Sequence, residues 1–138
     1  MSAIHQVTTD RTGLVRRAYD AWSFYGVDRL ERFLSDQVVL EDPPDLPDAR
    51  LTQGSTEVRR RLDEVLQCVG GWIEIRDVEE LNESILVAML WKADTEDGCE
   101  IDIAELFHVV EVAGGKVSRI RVFLDRESAT EALSARKS

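Results

Sequence analysis

Residues 38–50 read VVLEDPPDLPDAR. Val38 and Leu40 share one side of a period-two row, and the next position in that row is Asp42, where two prolines force the chain out of the strand. A carboxylate closing an apolar row has two readings. It ends the strand at the water and accepts hydrogen bonds from the turning backbone, or it lines a cavity mouth, where a partly desolvated carboxylate can act as general base. A second carboxylate raises the same question. Glu105 stands in the row Ile101, Ile103, Glu105, Phe107, Val109, whose other members are all apolar. There it must find a partner or take up a proton. It is either an acid working opposite Asp42 or a structural glutamate satisfied by a tyrosine, a tryptophan N–H or an arginine.

Other chemistries find little support. His108 alternates with Leu106 and Val110 on the face opposite Glu105; it reads either as a histidine base or as a sheet-surface histidine at a subunit contact, and the second is expected. With His5 the only other histidine, no zinc set is available, and no metal is expected. The chain has no glycine-rich phosphate loop, nucleophile elbow or serine–histidine pairing, and no cofactor is expected. Cys68 and Cys99 form no metal-spaced motif and read as reduced packing residues. A net charge of −10 opposes nucleic-acid and anionic-membrane binding and favours a neutral or apolar ligand. The longest apolar run, ILVAML at 85–90, is too short for a membrane span, and MSAIHQVTTDR lacks the features of a signal peptide; a cytoplasmic protein is expected.

The elements that must hold these residues follow from periodicity. An apolar stripe of Leu14, Ala18, Ala21, Trp22 and Tyr25 predicts a helix from Thr12 to Phe24 after a tail of residues 1–11, with Gly26 ending it. A short helix over 28–34 precedes a strand at 37–42 and the proline-rich loop 43–50. Val58, Leu62, Val65 and Leu66 mark a third helix, with Ser55 as cap and the glycine pair 70–71 as stop. Strands follow at 72–78, 84–93, 99–112 and 117–124, joined by turns at TEDG and AGGK. The second of these is apolar on both faces, as a covered central strand is. A last helix follows Asp125 as cap. Helices first and antiparallel strands after predict an α+β fold, a curved sheet wrapped around the helices and enclosing a cone-shaped pocket.

Three segments, LVRRAYDAWSFYGVDRLERFLSDQVVLEDP, PDLPDARLTQGSTEVRRRL and ELFHVVEVAGGKVSRIRVFLDRESATEAL, give this order a resemblance to the SnoaL-like, ketosteroid-isomerase-related branch of the nuclear-transport-factor-2-like (NTF2-like) superfamily. The resemblance spans a single domain over residues 12–135. It implies a cone fold that hosts isomerases, polyketide cyclases, dehydratases, epoxide hydrolases and non-catalytic binding modules. Glu41-Asp42-Pro43 matches the isomerases' general-base sequence at the end of the first strand. Their oxyanion-hole tyrosine falls on Ala18, one residue before Tyr19, and their protonated aspartate falls on Phe107. An epoxide hydrolase would need an aspartate–arginine–aspartate set, and the inward rows assigned here contain no arginine.

The resulting expectation is a cone binding a small apolar molecule. Asp42 serves as base and Glu105 as acid or orienting group in a cofactor-independent isomerisation, cyclisation or dehydration. The alternative is a ligand-binding or dimerisation module with structural carboxylates. Tyr19, Trp22, Val38, Leu40, Met89, Trp91, Ile103, Phe107, Ile120 and Val122 are the expected pocket walls. A homodimer is expected on the outer sheet face, through Leu106, His108, Val110, Arg119 and Arg121.

Overall fold

The computed structural model describes residues 3–137. The chain forms α1 (Ala3–Tyr25), α2 (Val27–Glu31), β1 (Leu34–Glu41), β2 (Leu51–Gln53), α3 (Ser55–Val69), β3 (Trp72–Leu81), β4 (Ser84–Asp94), β5 (Glu100–Ala113), β6 (Lys116–Phe123) and α4 (Arg126–Lys137). The six strands make one sheet in the order β2-β1-β6-β5-β4-β3. All neighbours are antiparallel except β1 and β6, which run parallel, with one helix and four strands between them in the chain. No described helix is long and apolar enough to cross a membrane.

The α+β expectation and most element positions agree with this architecture. Three differences are local. Helix α1 starts at Ala3, so the stretch read as a tail is helical from that residue onward. Strand β2 escapes the period-two reading because three residues carry too little pattern; it is held by β1 through pairs such as Leu40 with Thr52. Gly54, with φ of 98°, caps α3 in place of the expected Ser55, which is the first helical residue. Asp125 caps α4 as expected, accepting from the Ser128 N–H at 2.9 Å and the Ser128 hydroxyl at 2.8 Å.

The helices α1, α2 and α3 cover one face of the sheet. Val15, Ala18, Tyr19 and Trp22 of α1 and Val58 and Leu62 of α3 pack with Val38, Leu40, Ile85, Val87, Met89, Val110 and Ile120 into the main core. A second, smaller core lies on the other face, where Ala129 and Leu133 of α4 meet Leu86, Ala88, Phe107 and Val109. That explains the two-sided apolarity of β4: helices cover it front and back.

Register shifts interrupt four ladders of the sheet, one of them the parallel β1–β6 pair between Leu34 and Val39. The β3–β4 ladder admits Arg76 as an extra residue, the β4–β5 ladder admits Ile103, and the β5–β6 ladder admits Ser118. The shift at Ile103 corrects the expected facing of β5. Trp91 pairs with Ala104 but Lys92 pairs with Asp102, so alternation restarts out of phase after Ile103. A one-residue slip sends every later side chain to the opposite face. Leu106, His108 and Val110 therefore point to the helices, opposite Met89, Val87 and Ile85, while Glu105, Phe107 and Val109 point outward. The outer face consequently lacks three of the residues on which the expected dimer contact was built. Arg119 remains outside, in an ion pair with Glu41.

Gly71 has the tightest surroundings of the described glycines. Its φ is 89°, and a Cβ there would stand 2.0 Å from the Lys92 carbonyl oxygen. Gly114, at φ of 60°, has open space around it. Gly71→Ala is expected to cost more than about 1 kcal/mol in urea unfolding, and more than Gly114→Ala, because only the first adds a backbone clash to the conformational penalty.

Candidate functional site

A cavity of about 690 Å³ opens between the helix-side face of the sheet, the loop 43–50 and α3. Leu62, Val65 and Leu66 on one face of α3 form one wall, at the spacing that made the helix legible in sequence. Trp22 of α1, Trp91 of β4 and Ile73 of β3 close the far end. Trp91 is fixed there by its Nε1–H, which donates to the Gly70 carbonyl at 2.7 Å. Leu40, Leu106 and Val122 line the sheet side. Pro43 and Leu46 of the loop form the rim.

The expected wall residues divide into three groups. Trp22, Leu40, Trp91 and Val122 line the cavity, as does Asp42. Tyr19, Val38, Met89 and Ile120 lie in the core around it, all but sealed from solvent. Ile103 and Phe107 are not part of it. They line a separate outer-face groove together with Glu105, Arg76, Asp77 and Arg126. The Arg126 guanidinium sits 5.3 Å from the Phe107 ring centre. Asp42 and Glu105 thus occupy opposite sides of the sheet, and Glu105 is exposed, so it is not a partner for Asp42 within the cone. The bulge at Ile103 is the reason.

Asp42 both ties the loop backbone and lines the cavity. Its backbone N–H donates to the Arg50 carbonyl at 3.2 Å and its Oδ2 accepts from the Arg50 N–H at 3.2 Å, which closes the loop on itself. Its side chain, only 5% exposed, also lines the cavity and pairs with Arg61 of α3. Arg61 Nη2 stands 2.6 Å from Oδ2 and Nε 3.1 Å from it; Oδ1 meets only a 3.4 Å contact from Nε. The same guanidinium reaches Asp48 Oδ2 at 3.3 Å and Glu64 Oε1 at 2.8 Å. Its hydrogen bond with Asp42 raises the Arg61 pKa further above its ordinary value, against the opposing effect of burial.

Sequence reasoning did not place Arg61 at the site. It follows Arg59 and Arg60, and a run of three arginines reads as a solvated helix face. Yet position 61 lies three residues after Val58 and four before Val65, on the inward stripe. That spacing was the available signal. Its consequence is an aspartate–arginine–aspartate group, Asp42–Arg61–Asp48, at the cavity mouth.

The second unexpected residue is His108. It lines the cavity, is 1% exposed, and hydrogen bonds through Nδ1 to the Tyr19 hydroxyl at 2.8 Å. The Trp22 ring packs against it with centres 5.9 Å apart. Burial away from water pushes the His108 pKa down to about 3, so the imidazole is neutral at physiological pH. Burial also raises the Tyr19 phenol well above its ordinary value. Among the described residues no cluster of three or more metal-ligating side chains occurs.

With the site's geometry in place, a model of the SnoaL-like domain matches residues 15–120. The chain belongs to the SnoaL-like family. No curated protein matches it. Among solved structures, Bal32a from a soil-derived mobile gene cassette has a TM-score of 0.69 at 16% identity, covering 91% of this chain and 96% of that one. TerC, crystallised with polyporic acid, has a TM-score of 0.67 at 14% identity, over 91% of this chain and 98% of its own. An NTF2-like protein of unknown function from Burkholderia pseudomallei has a TM-score of 0.66 at 15% identity, over 90% and 97%. These likenesses establish the NTF2-like fold of the SnoaL-like chain, with its curved, unclosed sheet.

Two outcomes follow from the buried groups. Arg61→Leu strands the Asp42 carboxylate in the cavity wall and is expected to cost about 3 kcal/mol in urea unfolding, the lower end for a broken buried pair because the cavity is open. The Asp42→Leu/Arg61→Leu double variant, which strands neither of the two, is expected to lose less. His108 gives a pH dependence of defined sign. Its folded pKa lies below the ordinary 6.5, so the unfolded chain binds more protons in between and stability falls as pH drops from about 6.5 towards about 3. At about pH 5 the loss is about 2 kcal/mol. Unfolding His108→Gln alongside wild type at about pH 5 and about pH 7 should show that much less acid sensitivity in the variant.

Proposed function

We propose that this SnoaL-like chain binds a small, mostly apolar molecule in its cone cavity, with Asp42 as the group able to act on it. The observation that carries this reading is the composition of the cavity wall. It is predominantly apolar and includes two tryptophans, while its charged groups gather at the mouth around Arg61. A wall of this kind rewards apolar surface removed from water, and the polar mouth orients what enters. TerC, structurally similar, was crystallised with polyporic acid.

In its catalytic form the reading uses Asp42 Oδ1 as the proton acceptor. Oδ2 is taken up by Arg61 and by the Arg50 N–H, whereas Oδ1 keeps a lone pair free for a substrate proton. Arg61 then balances charge as the proton moves. Isomerisation, cyclisation or dehydration needs no more than this from the chain. A second reading is favoured by one specific observation, the placing of Arg61 Nη2 between Asp42 and Asp48. Two carboxylates joined by a guanidinium can orient and deprotonate a water, which suits hydrolysis of a strained ether. Asp48→Asn removes one carboxylate of the hydrolytic set and leaves the proton-transfer base intact, so it separates the two readings once a substrate is found.

The binding itself is testable with a plain hydrocarbon. Ethylnaphthalene titrated by calorimetry is expected to bind in the micromolar range, and Leu106→Trp, which fills the cavity from β5, is expected to abolish binding while the circular dichroism spectrum is retained. Absence of binding to wild type, or equal binding to Leu106→Trp, would overturn the proposal.

A further inference from the structure

We infer that His108 is a specificity residue of the cavity, donating its Nε2–H to a hydrogen-bond-accepting oxygen on the ligand, so that the preferred occupant is a carbonyl compound and not a bare hydrocarbon. This rests on the cavity-binding reading and narrows it.

The tautomer follows from Tyr19. Its hydroxyl is fully buried, and its hydrogen-bond partner among the described residues is His108 Nδ1, at 2.8 Å. If Nδ1 carried the proton, the phenolic O–H would be left without an acceptor in a dry core, which costs about 1–3 kcal/mol. The O–H therefore donates to Nδ1. A neutral imidazole has one proton, which then resides on Nε2. His108 is neutral in the physiological range because its burial opposes the charged form.

The position of the proton decides its use. Nδ1 faces Tyr19 on α1, so the ring edge opposite, carrying Nε2, is the one left for the cavity that His108 lines. Nε2 has no hydrogen-bond partner among the described residues. The Tyr19 and Trp22 rings, with centres 5.6 Å and 5.9 Å from that of His108, hold the imidazole in place. A fixed donor among Leu106, Val122 and Trp22 is poorly hydrated when an apolar ligand fills the space. A ligand oxygen at that point satisfies it; a ligand lacking one leaves it orphaned, and the site discriminates by that difference. Tyr19 acts through His108, as a positioning residue that sets the tautomer.

Two measurements test this on the intact chain. Nitrogen NMR of histidine-labelled protein should show His108 neutral with its proton on Nε2; a proton on Nδ1 would overturn the inference. Calorimetry with methyl naphthyl ketone and ethylnaphthalene, which share ring and carbon chain and differ by the carbonyl oxygen, should give about tenfold tighter binding of the ketone to wild type. The Tyr19→Phe/His108→Leu variant removes both members of the pair and orphans neither, and should bind the two probes equally. Equal affinities in wild type would overturn the inference and leave the cavity reading standing, as would a ketone preference that survives in the double variant. Binding of neither probe to wild type would overturn both.

Discussion

Between Trp91 and Lys92 the β4–β5 ladder admits one extra residue, Ile103, and the facing of everything beyond it on β5 depends on that local shift. Side chains of a strand alternate with a period of two, so a single inserted residue exchanges the two faces. After the bulge, Leu106 and His108 enter the cone, and Glu105 and Phe107 leave it. The companion bulges at Arg76 and Ser118 bend the same sheet around α1 and α3. Curvature and side-chain assignment therefore come from one device. Without the extra residue, Glu105 would stand opposite Met89 where Leu106 now is, and Phe107 opposite Val87 where the imidazole now is.

The ion pair of Asp42 and Arg61 joins three parts of this frame: the end of β1, the loop behind it and α3. Neither group could be buried alone, since an unpaired charge in the wall would carry an uncompensated desolvation cost. Together they allow charge at a mouth whose interior is apolar. The exposed Asp48 and Glu64 share the guanidinium from the solvent side, so the mouth is acidic on balance. That agrees with the charge of the whole chain and disfavours an anionic occupant.

Deeper in, the Tyr19–His108 pair shows the other way of burying polarity. Both groups are neutral, each supplies what the other lacks, and the arrangement leaves one directed proton among apolar neighbours. The cone thus combines a charged, water-reaching rim with an uncharged polar point on its wall. On the proposed reading, recognition by shape and by one hydrogen bond operates there separately from proton chemistry at the rim.

The α+β architecture was legible along the chain, because helical stripes such as Val58, Leu62, Val65 and Leu66 and the two-sided apolar strand at 84–93 are local patterns that burial enforces directly. Asp42 was also legible, since the row through Val38 and Leu40 ends where Pro43 stops the strand. What the sequence could not decide was phase and partnership. Alternation through Ile101, Ile103 and Glu105 is unbroken in the sequence, and only pairing with β4 makes Ile103 the extra residue and turns Glu105 outward. Arg61 was hidden by its arginine neighbours, and its meeting with Asp42 joins residues 19 positions apart on different elements. His108 read as a surface residue for the same reason that Glu105 read as buried. A one-dimensional pattern records which residues share a face, whereas the register of neighbouring strands, set by long-range packing, determines which face is the inside.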